Sequence, residues 1–233
     1  MLELGARQQI RIAVVGGGPS SVEIAGNIWR LGNKPGMHQP RITIFAGRDL
    51  MPHHLLGVHR RALASLQARS ITINKQGRVR QIQSGKVVDA QGELQEFDLI
   101  FVAVGVRPSR IFADSGIPTG PNGGMLVNSY LQSTTYANIF GGGDCVDIQN
   151  MPLDKVGVYA VRQNPILLYN LMSALTEGPL QRFQPGGAYL LIFNLGDNTG
   201  ILCKWSLLFG GRLAFRIKDY IDRRFMQTFQ ELE

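Results

Sequence analysis

The sequence predicts an α/β fold built on a doubly wound parallel sheet. Short apolar, β-branched runs at residues 10–15 and 41–45 are typical of buried parallel strands, and helical spacing separates them from each other and from a third run at 71–73. This β-α-β-α-β order predicts right-handed crossovers. Three short strands over residues 78–97 then predict an antiparallel meander, which leads back to a wholly apolar strand at 99–104.

After Gly105 the sequence predicts a different set of elements. Residues 107–128 are rich in Pro, Gly and Ser, so we expect them to loop over the surface. Later elements are predicted as follows: short strands at 125–127 and 139–140, a helix over 156–175 that contains Pro165, a hairpin over 189–202, and a basic amphipathic helix over 212–229.

The composition indicates a globular protein and narrows its partners. Of the 233 residues, 44% are hydrophobic and 18% are charged, which excludes a disordered chain. The net charge of +7 suits anionic partners such as dinucleotides or acidic lipids. Nucleic acid is not expected, because no basic run is interleaved with aromatic residues. Cys145 and Cys203 lie far apart, so we predict neither a disulfide nor a metal site, and expect free thiols in a reducing cytoplasm.

The glycine turn after the first strand is the most informative motif. Gly16 permits a tight turn, and Gly18 lacks a Cβ, so the backbone can approach a phosphate closely. Ser21 stands in the place of a third glycine and is small enough for close helix packing. A strand, a glycine turn and a helix start place a pyrophosphate at the helix N-terminus. The predicted dinucleotide-binding residues are Gly16, Gly17, Gly18, Pro19, Ser20 and Ser21.

Two more segments complete an ordered set of motifs: FVAVGVRP at residues 101–108 and TYANIFGGGDC at residues 135–145. With the glycine turn, they resemble the flavoproteins of the pyridine nucleotide-disulfide oxidoreductase superfamily, over nearly the whole chain. The closer resemblance is to type II NADH dehydrogenases and sulfide:quinone oxidoreductases. It implies FAD and NAD(P)H as cofactors, with a hydride passing from nicotinamide to flavin and electrons then passing to a quinone or another acceptor. No acid–base catalytic residue is implied.

The resemblance also implies roles for residues in the second and third motifs. Gly105 lies in the segment that returns the chain from the NAD domain to the FAD domain. Gly143 and Asp144 lie in the motif whose aspartate bonds the flavin ribitol. A carboxylate that follows three glycines can accept such a hydroxyl, although the same aspartate could instead cap the following helix.

Three positions match the family less completely. Glu23 resembles a family glutamate near the nicotinamide or the flavin edge, and its alternative is a solvated helix residue. Ala160 and Gln163 match part of a segment that borders flavin and quinone, but Val158 stands where the family has its first Gln. Gln163 could therefore instead be an ordinary residue on the helix surface.

The choice between NADH and NADPH stays open. An acid at the end of the second strand would bind the ribose 2′-hydroxyl and favour NAD, but Ala46 occupies that place. Arg48 could meet a 2′-phosphate or could be an ordinary loop arginine.

We expect a Rossmann-like NAD(P)-binding domain over residues 7–105, the C-terminal portion of an FAD-binding domain over 106–178 and a small α+β tail over 179–233. No flavin fingerprint precedes Ile10, so we expect the chain to lack the N-terminal FAD half, to keep dinucleotide affinity and to bind FAD poorly.

The leading hypothesis is an FAD-dependent NAD(P)H oxidoreductase. The alternative is a nucleotide-sensing module attached to another enzyme, because residues 205–226 resemble the oxidoreductase module fused to selenide, water dikinase. Two interpretations of the C-terminal helix stay open. In the first, the helix lies on an anionic membrane surface, on the cytoplasmic face. In the second, it packs on the FAD domain or on a second subunit of a homodimer.

Overall fold

A computed structural model describes residues 1–230, and these residues divide into two compact units. The first unit comprises residues 1–105 and 190–230, and the second comprises Val106–Tyr189. The structure therefore places the C-terminal segment in the first unit, whereas the sequence predicted a separate tail beginning at residue 179. Among the described residues, no helix combines the length and the apolar character needed to cross a membrane.

The helices in chain order are α1 (Leu2–Arg7), α2 (Pro19–Gly32), α3 (Leu56–Gln67), α4 (Ile111–Asp114), α5 (Gly157–Leu175) and α6 (Arg212–Gln230). The strands are β1 (Arg11–Val15), β2 (Arg41–Phe45), β3 (Thr72–Asn74), β4 (Gln81–Gln83), β5 (Lys86–Val88), β6 (Leu94–Glu96), β7 (Leu99–Val102), β8 (Met125–Val127), β9 (Val146–Ile148), β10 (Leu191–Asn194), β11 (Gly200–Lys204) and β12 (Leu207–Gly211).

A four-stranded parallel sheet lies at the centre of the first unit, with the spatial order β3-β2-β1-β7. The chain moves from β1 to β2 on one side and reaches β7 on the other side, so the strand order reverses between β1 and β7. The antiparallel β4-β5-β6 meander makes the crossover from β3 to β7. The predicted α/β fold class is confirmed.

Alternating side chains of β1 explain how this sheet is buried on both faces. Ile12 and Val14 pack with apolar residues of α2 and α3, whereas Ala13 and Val15 pack with Val87 and Phe97 of the meander segment. Because successive strand residues point to opposite faces, a continuous apolar run is what a strand between two layers requires.

The C-terminal segment of the first unit packs on α2 and α3. Its β10-β11-β12 sheet extends the predicted hairpin by one strand, and α6 covers that sheet. A Cβ on Gly26 would lie 2.2 Å from the Leu195 carbonyl oxygen, so helix and turn are in backbone contact. The Arg69 guanidinium donates to the same carbonyl, and the Asn194 N–H donates to Glu23 Oε1 at 2.7 Å.

The second unit is built around the parallel pair β8 and β9 and the long helix α5. A single turn of 3-10 helix, Gly143–Cys145, directly precedes β9. The strand predicted at residues 139–140 is reduced to one bridge between Phe140 and Gln132. Strand β9 was not predicted from the sequence. Pro165 lies on α5 at an exposed position, and the helix continues past it.

Candidate functional site

The first candidate site lies at the carboxyl ends of β1 and β7, where the strand order of the parallel sheet reverses. Ligands of open α/β sheets bind in the crevice at such a reversal. Gly16, with φ of 137°, donates its N–H to the Phe45 carbonyl at 3.0 Å. A Cβ on Gly16 would lie 2.1 Å from the Ala103 carbonyl oxygen, so only glycine fits there. Gly105, beyond β7, has φ of 98° and open space where a Cβ would be.

The start of α2 has the features of an anion site. Gly18 is the N-cap residue, with extended backbone and nothing within 4 Å of a Cβ position. Pro19 is at the first helical position, Ser20 is exposed, and no side chain caps the helix. No acidic residue lies in the first turn, so the positive end of the helix dipole is not opposed by a carboxylate there. These features fit a pyrophosphate.

Ser21, in the first turn of α2, packs against the glycine turn. It is fully buried, and its N–H donates to the Gly18 carbonyl at 3.1 Å. A Cβ on Gly16 would lie 2.8 Å from Ser21 Oγ, so this serine takes the close-packing place of the third glycine. Its hydroxyl has no hydrogen-bond partner within the described residues.

The loop after β2 is fastened to the glycine turn. Met51 donates its N–H to the Gly17 carbonyl at 2.6 Å, and a Cβ on Gly17 would lie 2.4 Å from the Ala46 carbonyl oxygen. Arg48 is exposed on this loop. The structure therefore brings Arg48 to the same edge of the sheet as the glycine turn.

Glu23 has partners that the sequence did not predict. Its carboxylate accepts the Asn194 N–H, and Lys218 and Asp222 of α6 lie near enough to act on its charge. Burial raises the pKa of Glu23 above its usual value, against the lowering effects of the Asn194 N–H and Lys218. Glu23 thus ties α2 to the C-terminal segment, and its described contacts are there rather than with the glycine turn.

The second candidate site is the aspartate turn of the second unit. Asp144 is half-buried, and its carboxylate makes no side-chain hydrogen bond or ion pair within residues 1–230. It does not cap α5, since that helix has Val156 as its N-cap residue. Gly143, with φ of 71°, donates its N–H to Gln163 Oε1 at 2.5 Å. A Cβ on Gly143 would lie 3.5 Å from the Ala160 Cβ.

These contacts redefine the part played by Gln163. The residue is 3% exposed, so it is not the helix-surface residue of the alternative interpretation. Its side chain holds the backbone of the turn that carries Asp144. A free carboxylate presented by a fixed turn fits a hydroxyl-rich ligand such as ribitol.

A pocket of about 400 Å³ adjoins this turn, and its lining includes Asp144, Tyr159, Gln163 and Asp147. The Asp147 carboxylate accepts from the Asn122 N–H at 3.0 Å and from Lys155 Nζ at 2.9 Å. Burial raises the pKa of Asp147, but the hydrogen bonds from Lys155 and Asn122 outweigh burial and leave that pKa below its usual value. No motif spacing in the sequence indicates that Asp147 and Lys155 form a pair.

A comparison with protein families matches residues 2–165 to the model described as pyridine nucleotide-disulphide oxidoreductase. The chain belongs to this family. Its enzymes use FAD and a pyridine nucleotide, and the two turns described above fit those two ligands. The resemblance stated from the sequence is confirmed.

Individual relatives are similar at lower identity. The demethylphylloquinone reductase NdbB of Synechocystis sp. is 28% identical over 98% of this chain and 57% of its own length. Ferroptosis suppressor protein 1 of Taeniopygia guttata is 28% identical over 82% of this chain and 52% of its own length. The chain therefore spans about half the length of the curated relatives it matches.

Solved structures share the fold. A NAD-dependent persulfide reductase from A. fulgidus has a TM-score of 0.68 at 20% identity, over 87% of this chain and 37% of the other. The Bacillus anthracis protein CoADR-RHD has a TM-score of 0.65 at 17% identity, over 85% of this chain and 35% of the other. Attachment to selenide, water dikinase is not tested by these similarities and stays a prediction.

Proposed function

We propose that this chain binds NAD(P)H at the glycine turn and contacts FAD through Asp144, as part of a flavin-dependent NAD(P)H oxidoreductase. The observation that carries the proposal is the glycine turn at the β1/β7 reversal, followed by open space at both Gly18 and Gly105. When bound, the two cofactors supply the hydride-transfer chemistry. The protein's own residues position them.

Binding measurements test the two halves of the proposal separately. We expect NADH or NADPH to bind the chain in isothermal titration calorimetry and to raise its melting temperature. Asp144→Asn keeps the size of the side chain and removes its charge. We expect that variant to weaken FAD binding about tenfold, measured by FAD fluorescence anisotropy, and to leave nucleotide affinity unchanged.

Two results would overturn the proposal. If neither NADH nor NADPH binds, the glycine turn does not have the proposed role. FAD binding that is equal in the chain and in Asp144→Asn removes the role of Asp144. Glu177→Gln, which changes an exposed acid of the same unit, is the control for a general effect of charge.

For the electron acceptor we propose a quinone, on the ground that one relative is named as a demethylphylloquinone reductase. NADPH oxidation is measured in the presence of FAD with menadione, with ferricyanide and without an acceptor. Menadione-dependent oxidation that falls in Asp144→Asn supports the assignment. Oxidation that no quinone accelerates, while ferricyanide does, contradicts it.

We also propose a cytoplasmic protein whose helix α6 touches an anionic membrane surface. Ala214 of α6 is buried on the β10-β11-β12 sheet, but Tyr220 and Met226 are 63% and 54% exposed beside Arg224, and Arg223 is paired with Asp219. Apolar and basic side chains together suit an anionic lipid surface. Co-sedimentation with anionic but not neutral vesicles supports this contact, and a homodimer that buries α6 would contradict it.

A further inference from the structure

We infer that the first unit selects NADPH over NADH through Arg48 and Arg78, which lie at the carboxyl end of β2. The inference rests on the proposed function, because it specifies which nucleotide the same crevice takes. In sheets of this kind an acid near the end of the second strand binds the 2′-hydroxyl of NAD, and an arginine accommodates the 2′-phosphate of NADP. Ala46, 7% exposed, stands at that strand end and offers no carboxylate.

Arg78 reaches this position because two loops run side by side. Ala46, after β2, donates its N–H to the Asn74 carbonyl at 2.8 Å, and Gly77 donates its N–H to the Gly47 carbonyl at 3.1 Å. A Cβ on Gly47 would lie 3.8 Å from Arg78 Cγ. The Arg78 side chain therefore lies against Gly47, the residue that precedes Arg48. No sequence spacing indicates this proximity, since the two arginines are thirty positions apart.

The acid on this loop, Asp49, is already paired with a cation. Its Oδ1 accepts from Lys75 Nζ at 2.7 Å and from the Leu50 N–H at 2.9 Å. The hydrogen bond from Lys75 lowers the pKa of Asp49, so this carboxylate stays ionised and paired. Lys75 therefore balances the charge of Asp49, which reduces the repulsion that a 2′-phosphate would meet from this carboxylate.

Arg48 and Arg78 differ from Lys75 because their charges are free. Both are exposed, and neither forms an ion pair or a side-chain hydrogen bond with any residue in the described part of the chain. Guanidinium groups bind phosphate oxygens through paired N–H donors and keep their charge at every physiological pH. Two of them beside one strand end favour a dianionic 2′-phosphate over a neutral hydroxyl.

Calorimetric titration of the full chain with NADPH and with NADH, at an ionic strength of about 0.1 M, tests this selection. We expect NADPH to bind at least about tenfold more tightly than NADH, and 2′,5′-ADP more tightly than 5′-AMP by a similar factor. Arg48→Ala combined with Arg78→Ala should remove this difference and leave NADH affinity within about twofold. Arg80→Ala, an exposed arginine on the same segment as Arg78, should change neither affinity.

The outcomes separate the inference from the proposed function. If NADH binds as tightly as NADPH, or if the double variant keeps the NADPH preference, the inference is overturned and the proposed function stands. If the double variant loses affinity for NADPH and NADH equally, the arginines act on a part that both ligands share, and the selection is overturned. If neither nucleotide binds the natural chain, both proposals are overturned. Melting temperatures of all variants check that folding is intact.

Discussion

Two turns of three consecutive glycines, residues 16–18 and 141–143, look alike in the sequence but are held differently. The nearest neighbours of the first turn are backbone atoms: the Ala103 carbonyl beside Gly16 and the Ala46 carbonyl beside Gly17. The neighbours of the second turn are side chains, such as Gln163 beside Gly142. Backbone of a packed sheet cannot move aside, whereas a side chain can change its rotamer. The first turn should therefore tolerate an added Cβ less well than the second.

The two turns also present different chemistry to a ligand. The first offers the N-terminus of α2 and open space at Gly18, so its backbone N–H groups suit an anion. The second offers the single free carboxylate of Asp144, which accepts hydrogen bonds. A polyanionic nucleotide suits the first turn. The hydroxyl-bearing side chain of a flavin suits the second.

The largest effect should follow from adding one methyl group to the first turn. Gly16→Ala puts a Cβ 2.1 Å from the Ala103 carbonyl oxygen at φ of 137°, so we expect a loss of about 3 kcal/mol or more of unfolding free energy. In Gly143→Ala the new Cβ lies 3.5 Å from Ala160 at φ of 71°, and the expected loss is about 1 kcal/mol. Urea unfolding followed by circular dichroism compares them. Equal losses would contradict the difference between backbone and side-chain neighbours.

The contribution of side-chain contacts to the stability of the second unit can be tested at Lys155. Lys155→Met leaves the buried Asp147 carboxylate without its ion-pair partner, and we expect a loss of about 3 kcal/mol at neutral pH. Lys86→Met, which breaks the exposed pair with Glu96, should cost less than about 0.5 kcal/mol.

The pH dependence of the Lys155 effect has a definite sign. The pKa of Asp147 is lower in the folded chain than its ordinary value of 3.8, so its stabilising contribution is present at neutral pH. That contribution is lost as the pH falls through the ordinary value to the lowered folded pKa. The difference between the natural chain and Lys155→Met should therefore shrink below about pH 4. A difference that stays constant from pH 7 to pH 3 would show that Lys155 acts through packing and its hydrogen bond to the Val146 carbonyl, and not through the Asp147 charge.

The sequence predicted the parts of the fold that depend on neighbouring residues, and missed the parts that depend on distant ones. The parallel strands, the meander and the glycine turn each show periodicity or a motif within a short window. Glu23 and Asn194, however, meet across 171 positions, and nothing in either local pattern indicates that contact. The packing of β10-β11-β12 on α2 was missed for the same reason.

One signal of that packing was present in the sequence. Gly26 lies in the middle of α2, where glycine costs about 1 kcal/mol relative to alanine. Such a glycine indicates close approach by another backbone, and the structure places Leu195 there. The signal shows that something packs on the helix, but it cannot show which segment does so. Arg78 gave no signal at all, because its position depends on the pairing of two loops.

Gly18 allows the binding role of the first turn to be separated from its folding role. Gly18→Ala meets nothing within 4 Å and requires no positive φ, so we expect its melting temperature to be unchanged. The added methyl group faces the space that a pyrophosphate would occupy, and nucleotide affinity should fall about tenfold, or about 1.4 kcal/mol. Gly187→Ala, equally unobstructed but in the second unit, is the control. Unchanged affinity in Gly18→Ala would mean that the ligand does not approach this residue.

The smallest effect is expected at Glu23. Like Gln163 in the second unit, this side chain accepts a hydrogen bond from a backbone N–H. Glu23→Gln keeps an oxygen that accepts the Asn194 N–H and removes the buried charge. At pH 7 we expect a change in unfolding free energy of less than about 1 kcal/mol, in the stabilising direction. Glu93→Gln, an exposed acid of the same unit, is the control for the loss of one negative charge.

The sign follows from the raised pKa of Glu23. A carboxyl group whose folded pKa lies above its ordinary value of 4.5 favours folding when it is protonated, and that advantage is lost as the pH rises through the folded pKa. The natural chain and Glu23→Gln should therefore be equally stable near pH 4, and the variant should become the more stable one as the pH rises to 7. All other ionisable groups are common to both chains, so the difference between their pH profiles reports Glu23 together with its effect on Lys218 and Asp222. If the variant were instead less stable at pH 7, the hydrogen bond from Asn194 and the attraction of Lys218 for the Glu23 carboxylate would outweigh the cost of burying it.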